Sequence, residues 1–533
     1  VQLKSLCNMP EDELTSSTTL GDVTSGSVTP AVATVSIDDG LVVLDDYVPM
    51  TISYSSNRKT MSSLREMYKV GTGPSSSHTM GPRKAAQHFM LTHGINELLM
   101  AGGRVFFKVT LYSLLAKSGV GYLTDKAILT VLDPESTEFV WLPNKKLPVH
   151  PKALTIQAYK SAEDRDKDVV MYEETYYSVG GGSLRLGDGS FPIWPANSDG
   201  CNATPGVVNI TPPTAPLYSS FTRFSKIRKY CLDNRRSLLD FVWEQEGCEL
   251  RQYLANIWTV MKNAVETGLP KTEPVEASGD LHYPRKAYYY KKQADQISSE
   301  SIKKNPHLAS VRKEKYILSY AIAVSQENAS ATTEIVTAPT ACSSGIIPGV
   351  FYYYWKHYDI PEEELVNALA IAGIIGNIAK CYGSVSGAEA GCQAETGVAT
   401  AMAAAGCTYL LNYMNKRDDP SSAIDPVLLV KSIEYAAVMA LKHNLGLTCD
   451  PVRDLVVIPC IERNGNAALF ADGCAEAAIL GFNDELISWD EVVHTMVVTG
   501  KSLNEKYKDT AQGGLAVNYA LDEVEEGATV EGD

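Results

Sequence analysis

Apolar and polar positions follow two different rules along this chain. In the first third they come in short runs. Val105 to Leu115 is β-branched and aromatic and reads as a strand, and Ala127 to Leu132 predicts another. A third run, Tyr176 to Gly182 (YYSVGGG), ends in three glycines, which predicts a tight backbone approach where the strand stops. Further on, apolar residues recur every three or four positions. Between Ser225 and Thr267 they pass through Leu238, Leu239, Phe241 and Val242, then Leu254, Ile257, Trp258 and Met261, the spacing of helices with one buried face.

From Tyr316 onward the pattern reads as helices joined by short glycine-bearing turns. Val366 to Ala379 is apolar, broken by Gly373 and Gly376, and predicts a buried helix. Val398 to Leu411 is rich in alanine, which permits close helix packing. Val427 to Leu441 and Glu491 to Leu503 are amphipathic. Residues 184–214 are dense in Gly, Pro, Asn and Asp and mark a loop. The chain therefore divides into an N-terminal extension (1–60), an α+β domain (61–190), a linker and helical connector (191–300), an all-α domain (301–520) and an acidic tail (521–533). No repeat of fixed period is visible.

Composition narrows the setting. Charged residues make up 21% of the chain and apolar ones 45%, the balance of a globular protein with ample core. No uninterrupted apolar run approaches the roughly 20 residues that span a bilayer. The net charge of −16 argues against nucleic acid and anionic membranes as partners, and leaves an anionic substrate dependent on local donors. The extension carries eight acidic side chains against Lys4, Arg58 and Lys59, unlike an Arg-rich transit peptide. It reads as a loosely attached arm, with Leu41 to Leu44 a candidate strand. Eleven cysteines, seven of them between Cys342 and Cys474, do not form the framework of a small secreted domain. They point to reduced thiols in a reducing compartment, the cytoplasm.

Two polar loops carry candidate chemistry. In GTGPSSSHTMGPRK (71–84), Ser75, Ser76, Ser77 and His78 present hydroxyls and an imidazole just before a helix expected near Pro82. The structural alternative is a capping loop with Ser77 or Thr79 as N-cap. In TAPTACSSG (337–345), Thr337, Thr340 and Ser343 cluster ahead of a helix starting near Ile346, a turn suited to a carboxylate or simply to a helix start.

Three cysteines stand apart: Cys392 in GAEAGCQAE, Cys449 in HNLGLTCDP and Cys460 in VIPCIERN. Cys392 follows a glycine-rich turn and begins a helix, where the dipole favours thiolate. Three thiolates are one short of a complete iron–sulfur ligand set, and an open iron acts as a Lewis acid. The spacings of 57 and 11 residues are unlike ferredoxin repeats, and no CxxC pair supports zinc. Spacing alone does not choose between cluster and core packing. Cys407, in the alanine-rich helix, reads as packing, and Cys342 and Cys381 lie near the motif segments.

Taken together, the segments YKVGTGPSSSHTMGP, ETYYSVGGG, SQENAS, TAPT, SGAEAGCQAETGVA, HNLGLTCDPV, IPCIERN and KYKDTAQGGLAV resemble the iron–sulfur-dependent L-serine dehydratases, or L-serine ammonia-lyases. They follow the family's order over about residues 62–517. The resemblance implies fused β and α parts, the α part being the catalytic domain. It also implies a [4Fe–4S] cluster on Cys392, Cys449 and Cys460 with one open iron, no pyridoxal phosphate, a small amino-acid substrate and a homodimer. The expected reaction is conversion of L-serine to pyruvate and ammonia. His78, Ser76, Ser77 and Tyr122 are then candidate proton-transfer residues. Ser75, Thr337, Thr340 and Ser343 are candidate substrate contacts, with Arg463 and Asn464 as a supporting shell.

Three departures from the bacterial members bear on this. Tyr122 stands where they carry a histidine, so the base is left among His78, Tyr122 and a residue not yet singled out. TAPTAC replaces a common TAPTNG, which alters pocket polarity at Ala341 and Cys342. The tail lacks the terminal cysteine that some members carry. Competing readings are a pyridoxal-phosphate eliminase, cysteine desulfidation on the same cluster, and a cluster-bearing sensor without turnover.

Overall fold

The computed structural model describes residues 61–193, 218, 221, 223–276, 282–481 and 486–518. The strand expected at Leu41 to Leu44, Cys7, Cys201, most of the 184–214 loop and the acidic tail lie outside them.

The chain enters with β1 (Lys69–Thr72), then α1 (Gly81–Thr92) and α2 (Ile95–Met100). The Val105–Leu115 run forms β2 (Phe106–Tyr112), followed by α3 (Ser113–Ser118), α4 (Thr124–Leu129), β3 (Thr137–Leu142) and β4 (Lys152–Tyr159). α5 (Ala162–Asp166), β5 (Tyr172–Ser178) and β6 (Leu184–Leu186) complete this part. The five strands lie in the order β3-β2-β4-β5-β6, with β2 and β3 parallel and the other pairs antiparallel. Phe107, Val109, Leu111, Leu154 and Ile156 pack with Ala85, Phe89, Ile95, Leu115, Ile128 and Leu132 in one apolar layer.

The strand expected over Ala127 to Leu132 is instead helix α4 and its end. The reason is periodic: Thr124, Ile128 and Leu132 are buried four residues apart, and a helix turns Lys126 and Thr130 to solvent where a strand would put them on the same buried face. The three glycines after β5 do turn the chain: Gly180, Gly181 and Gly182 have φ of 97°, 56° and 70°, a region that favours glycine.

The helical part begins with α6 (Phe224–Asp233), α7 (Leu238–Glu246) and α8 (Glu249–Gly268). A hairpin of β7 (Val275–Glu276) and β8 (His282–Tyr283) leads to α9 (Ala287–Gln296), α10 (Ser299–Lys304) and α11 (His307–Ser330). Then come β9 (Glu334–Thr337), α12 (Ile346–Tyr358), α13 (Glu362–Tyr382), α14 (Gly387–Ala390) and α15 (Val398–Asp418). α16 (Leu429–Lys442), α17 (Cys460–Ala478), α18 (Trp489–Ser502) and α19 (Leu515–Asn518) finish the described chain. α15 packs against α12, α13, α16 and α17. Its residues Ala399, Ala401, Ala403, Ala404, Ala405 and Cys407 are all fully buried, so small side chains let these neighbours close on it. α13 is long and apolar enough to cross a membrane, but 83% of its apolar window is buried within the protein, as a core helix requires.

The two parts are stitched together. β1 pairs antiparallel with β9, placing Lys69 opposite Thr337. Because the pair is antiparallel, the serine-rich loop leaves at the Thr72–Glu334 end, against α11, and the TAPT loop leaves at the Lys69–Thr337 end.

Candidate active site

The serine-rich loop is fixed before any chemistry is asked of it. Asn328 on α11 donates from Nδ2 to the Pro74 carbonyl (3.0 Å), and a Cβ on Gly73 would lie 1.9 Å from Asn328 Oδ1, so the approach admits only glycine. A wide turn over Ser76–Met80 then runs into α1. Its cap is Ser75, not Ser77 or Thr79: Ser75 Oγ accepts from His78 N (3.2 Å), and Ser75 N donates to Thr79 Oγ1 (2.8 Å). Capping from Ser75 frees the Ser77 hydroxyl for other partners. Ser76 serves the turn through its carbonyl, which takes the Gly81 N–H.

His78 is completely buried. Its Nδ1 lies 3.3 Å from both Ser75 Oγ and Ser77 Oγ, and its Nε2 lies 3.0 Å from Ser118 Oγ. The Tyr122 ring stacks on the imidazole, centroids 4.3 Å apart. Burial, helped by the nearby Lys152 ammonium, takes the His78 pKa down to about 3 against the pull of Asp509, so the ring is neutral at physiological pH.

Beside it sits an ion pair that the sequence did not announce. Lys152, the first residue of β4, is 2% exposed and donates to Ser77 Oγ (2.7 Å) and to Asp509 Oδ2 (2.5 Å). Asp509 Oδ1 accepts from Tyr122 Oη (3.0 Å). Burial works against the charge of both Lys152 and Asp509, and their mutual attraction outweighs it. The lysine pKa is raised and the aspartate pKa lowered. Tyr122 is pushed well up by burial and then by Asp509, which keeps its phenol protonated as a donor.

The three singled-out cysteines are all buried and converge on this spot. None of the nine described cysteines is in a disulfide. Cys392 precedes the turn Gln393–Gly397 that opens α15, and its Sγ lies 3.0 Å from Thr396 Oγ1. The adjoining Cys449 thiol lowers the Cys392 pKa against the effect of burial, with Arg463 and Thr396 assisting, and Cys449 is itself pushed well up. Cys460 opens α17 and packs with Tyr122, Val456 and Cys342. Glu395 accepts from Cys449 Sγ (3.7 Å), and burial followed by the Cys392 charge raises its carboxyl to about 8.

Arg463 is the counter-charge of this group. Its cation feels Cys392, Cys460 and Cys449, and it donates to the Thr448 carbonyl (2.9 Å) and Asp450 Oδ1 (3.2 Å). Asp450 also takes Leu515 N (2.8 Å), while Cys449 N donates to the Tyr507 carbonyl (2.9 Å) and Asp509 N to the Cys449 carbonyl (2.8 Å). These bonds lay the segment before α19 along Cys449 and deliver Asp509 to Lys152. Asn464 binds two loops at once: Nδ2 donates to the carbonyls of Cys342 (2.7 Å) and Cys460 (2.8 Å), and Oδ1 accepts from Gly345 N (2.9 Å).

The TAPT hydroxyls are mostly spent on their own loop. Thr337 Oγ1 accepts from Lys69 N (3.1 Å) in the β1–β9 ladder. Thr340 Oγ1 and Ser343 Oγ lie 3.2 Å apart, and Ser343 reaches the Ala338 and Thr340 carbonyls. Cys342, between them, faces Tyr122 and Cys460.

Among the described residues no three His, Cys, Asp or Glu side chains are gathered tightly enough to hold one metal ion. A polynuclear cluster asks for something else: each cysteine ligates a different iron, so the sulfurs ring the group instead of meeting at a point. Three buried cysteines around one arginine, with the most acidic thiol at a helix opening, fit that demand.

Sequence reasoning missed Lys152, Asp509, Glu395 and Ser118. Asp509 and Glu395 sit inside the quoted motifs KYKDTAQGGLAV and SGAEAGCQAETGVA, which was the available signal. Lys152 had a weaker one: a lysine leading the apolar run Ala153 to Ile156.

A neutral histidine, a buried ion pair and three buried cysteines thus meet in one site. The comparisons with known proteins give the chain its family. The serine dehydratase beta chain family matches residues 63–140 and the serine dehydratase alpha chain family residues 226–516. L-serine dehydratase 2 of Escherichia coli (strain K12) is 34% identical over 499 residues, covering 86% of this chain and 99% of that protein. The L-serine dehydratase of Streptomyces coelicolor is 34% identical over 86% of this chain and 98% of its own, and that of Helicobacter pylori 32% over 85% and 98%. The chain belongs to the serine dehydratase family, with its alpha and beta regions fused in one polypeptide.

Proposed function

We infer that this protein is an L-serine ammonia-lyase, converting L-serine to pyruvate and ammonia. The observation that carries the reading is the meeting of Cys392, Cys449 and Cys460 around Arg463 next to neutral His78. Full-length similarity to curated L-serine dehydratases supports the same substrate.

Cys392, Cys449 and Cys460 would hold a [4Fe–4S] cluster. Bound there with one open iron, it would supply Lewis acidity to the substrate's hydroxyl and carboxylate. The chain's residues account for the remainder. His78 is kept neutral by burial, so its imidazole holds a free lone pair, and no second proton, when the substrate arrives. Tyr122, protonated and bound to Asp509, is a poor base and a good wall for the imidazole. Ser75, whose hydroxyl lies beside His78 Nδ1, supplies a hydroxyl for the carboxylate, and the Thr340–Ser343 turn keeps its hydroxyls within its own loop. Arg463 and Asn464 hold the cysteine-bearing loops in register. Loss of the α-proton and the β-hydroxyl leaves an enamine, which tautomerises to an imine and is hydrolysed to pyruvate and ammonia.

Anaerobic reconstitution with iron and sulfide, followed by pyruvate assays on serine, threonine and cysteine, tests the reading. Serine should give the highest kcat/KM. Faster turnover of cysteine would transfer the assignment to sulfide elimination.

A further inference from the structure

The hydrogen-bond directions around His78 can be read one by one. Ser118 has a single hydroxyl hydrogen and donates it to the Leu114 carbonyl (2.9 Å). Its oxygen, 3.0 Å from His78 Nε2, must therefore accept, so the imidazole carries its hydrogen on Nε2. The basic lone pair is on Nδ1, facing Ser75 and Ser77 at 3.3 Å each. Ser77 Oγ in turn accepts from the Lys152 ammonium at 2.7 Å. With that lone pair engaged, the Ser77 hydrogen points towards Nδ1 or the Ser75 oxygen 3.4 Å away. His78 is wholly buried, while Ser77 retains 7% exposure, so an incoming substrate meets the serine first.

We propose that Lys152 is a positioning residue for proton transfer: it orients Ser77 so that this hydroxyl relays the substrate's proton to His78 Nδ1. The inference rests on the serine-elimination reading. In the step, the substrate Cα–H bond breaks and its electron pair stays with carbon. Ser77 Oγ takes the proton as its own hydrogen passes to Nδ1, forming imidazolium. That proton then returns through Ser77 to the departing hydroxide, which leaves as water. The Lys152 charge steadies the oxygen while it exchanges hydrogens, and Asp509 keeps the ammonium charged and aimed.

The test uses the reconstituted full-length enzyme with serine and α-deuterated serine. Lys152→Gln should keep its iron and lose kcat roughly 10²-fold with KM little changed. Its deuterium isotope effect on kcat should rise, because proton transfer becomes rate-limiting. Lys152→Arg should recover part of the loss. Ser77→Ala should behave like Lys152→Gln, and the double variant should be no worse than Ser77→Ala alone. A Lys152→Gln variant with full kcat, an unchanged isotope effect alongside reduced kcat, or multiplicative losses in the double variant would overturn the relay. Where Lys152→Gln fails to fold, Lys152→Arg and Ser77→Ala decide by the same isotope criterion. Wild-type enzyme with iron bound but no pyruvate from serine would instead overturn the reading beneath it.

Discussion

Tyr122 and Asp509 lie 387 positions apart and share a hydrogen bond of 3.0 Å. The tyrosine comes from the turn before α4 and the aspartate from the segment before α19, so the site closes only when the last part of the chain docks on the first. The same aspartate neutralises Lys152, and the same tyrosine covers His78.

Removing that aspartate should therefore damage stability as well as turnover. Asp509→Asn strands a buried ammonium, a change that costs about 3–5 kcal/mol when a buried pair is broken. A thermal or urea unfolding curve should show the loss, and Lys152→Met combined with Asp509→Asn should restore part of it.

Tyr122→Phe separates wall from base. The ring still stacks on His78, and only the bond to Asp509 is lost, so kcat should stay within about tenfold of wild type, whereas His78→Gln should lose roughly 10²–10⁴-fold. A Tyr122→Phe variant as inactive as His78→Gln would make the phenol the base.

The ligand assignment predicts a contrast between two buried cysteines. Cys449→Ser should lose iron, sulfide and activity together. Cys407→Ser should keep all three, since Cys407 sits inside α15 and its Sγ reaches Asp472 Oδ1 (3.9 Å). Iron and sulfide counts on the anaerobically purified variants check this.

His150 gives a pH signature away from the thiols. Burial, then Lys152, lowers its pKa to about 3, and its Nδ1 accepts from Lys152 N (3.2 Å). Between pH 6.5 and 3 the unfolded chain binds a proton that the folded imidazole refuses, so this residue's contribution is full above 6.5 and falls with acid. From pH 7 to 5 the loss is about 2 kcal/mol. Glu395, with its carboxyl raised to about 8, pulls the other way over pH 4.5–8, so the wild-type curve mixes the two. The difference between wild type and His150→Asn isolates the histidine. Urea midpoints at pH 7 and pH 5 should show the variant less acid-sensitive by that amount.

Much of the fold was readable because its signals are periodic or local. The apolar runs of α8, α13, α15 and α16 repeat at helical spacing, and the glycines at 180–182 mark a turn. Ala127 to Leu132 failed because a six-residue apolar segment satisfies strand and helix alike; the layer formed by Phe107 and Leu115 chose the helix. Cys392, Cys449, Cys460 and His78 could be picked out from motif context. Lys152 could not, since a lysine on an apolar strand looks like an edge or a surface residue until its partner arrives.

By itself, the sequence determined the long periodic helices, which loops hold hydroxyls and thiols, and which family those motifs resemble. Only the tertiary structure decided that Ser75 is the cap, that His78 is buried and neutral with its lone pair on Nδ1, and that Lys152 and Asp509 form a pair between it and the cysteines. These properties depend on burial and on hydrogen bonds spanning up to hundreds of residues. Solvent exclusion and charge proximity do not exist until the chain has folded, so no local pattern encodes them.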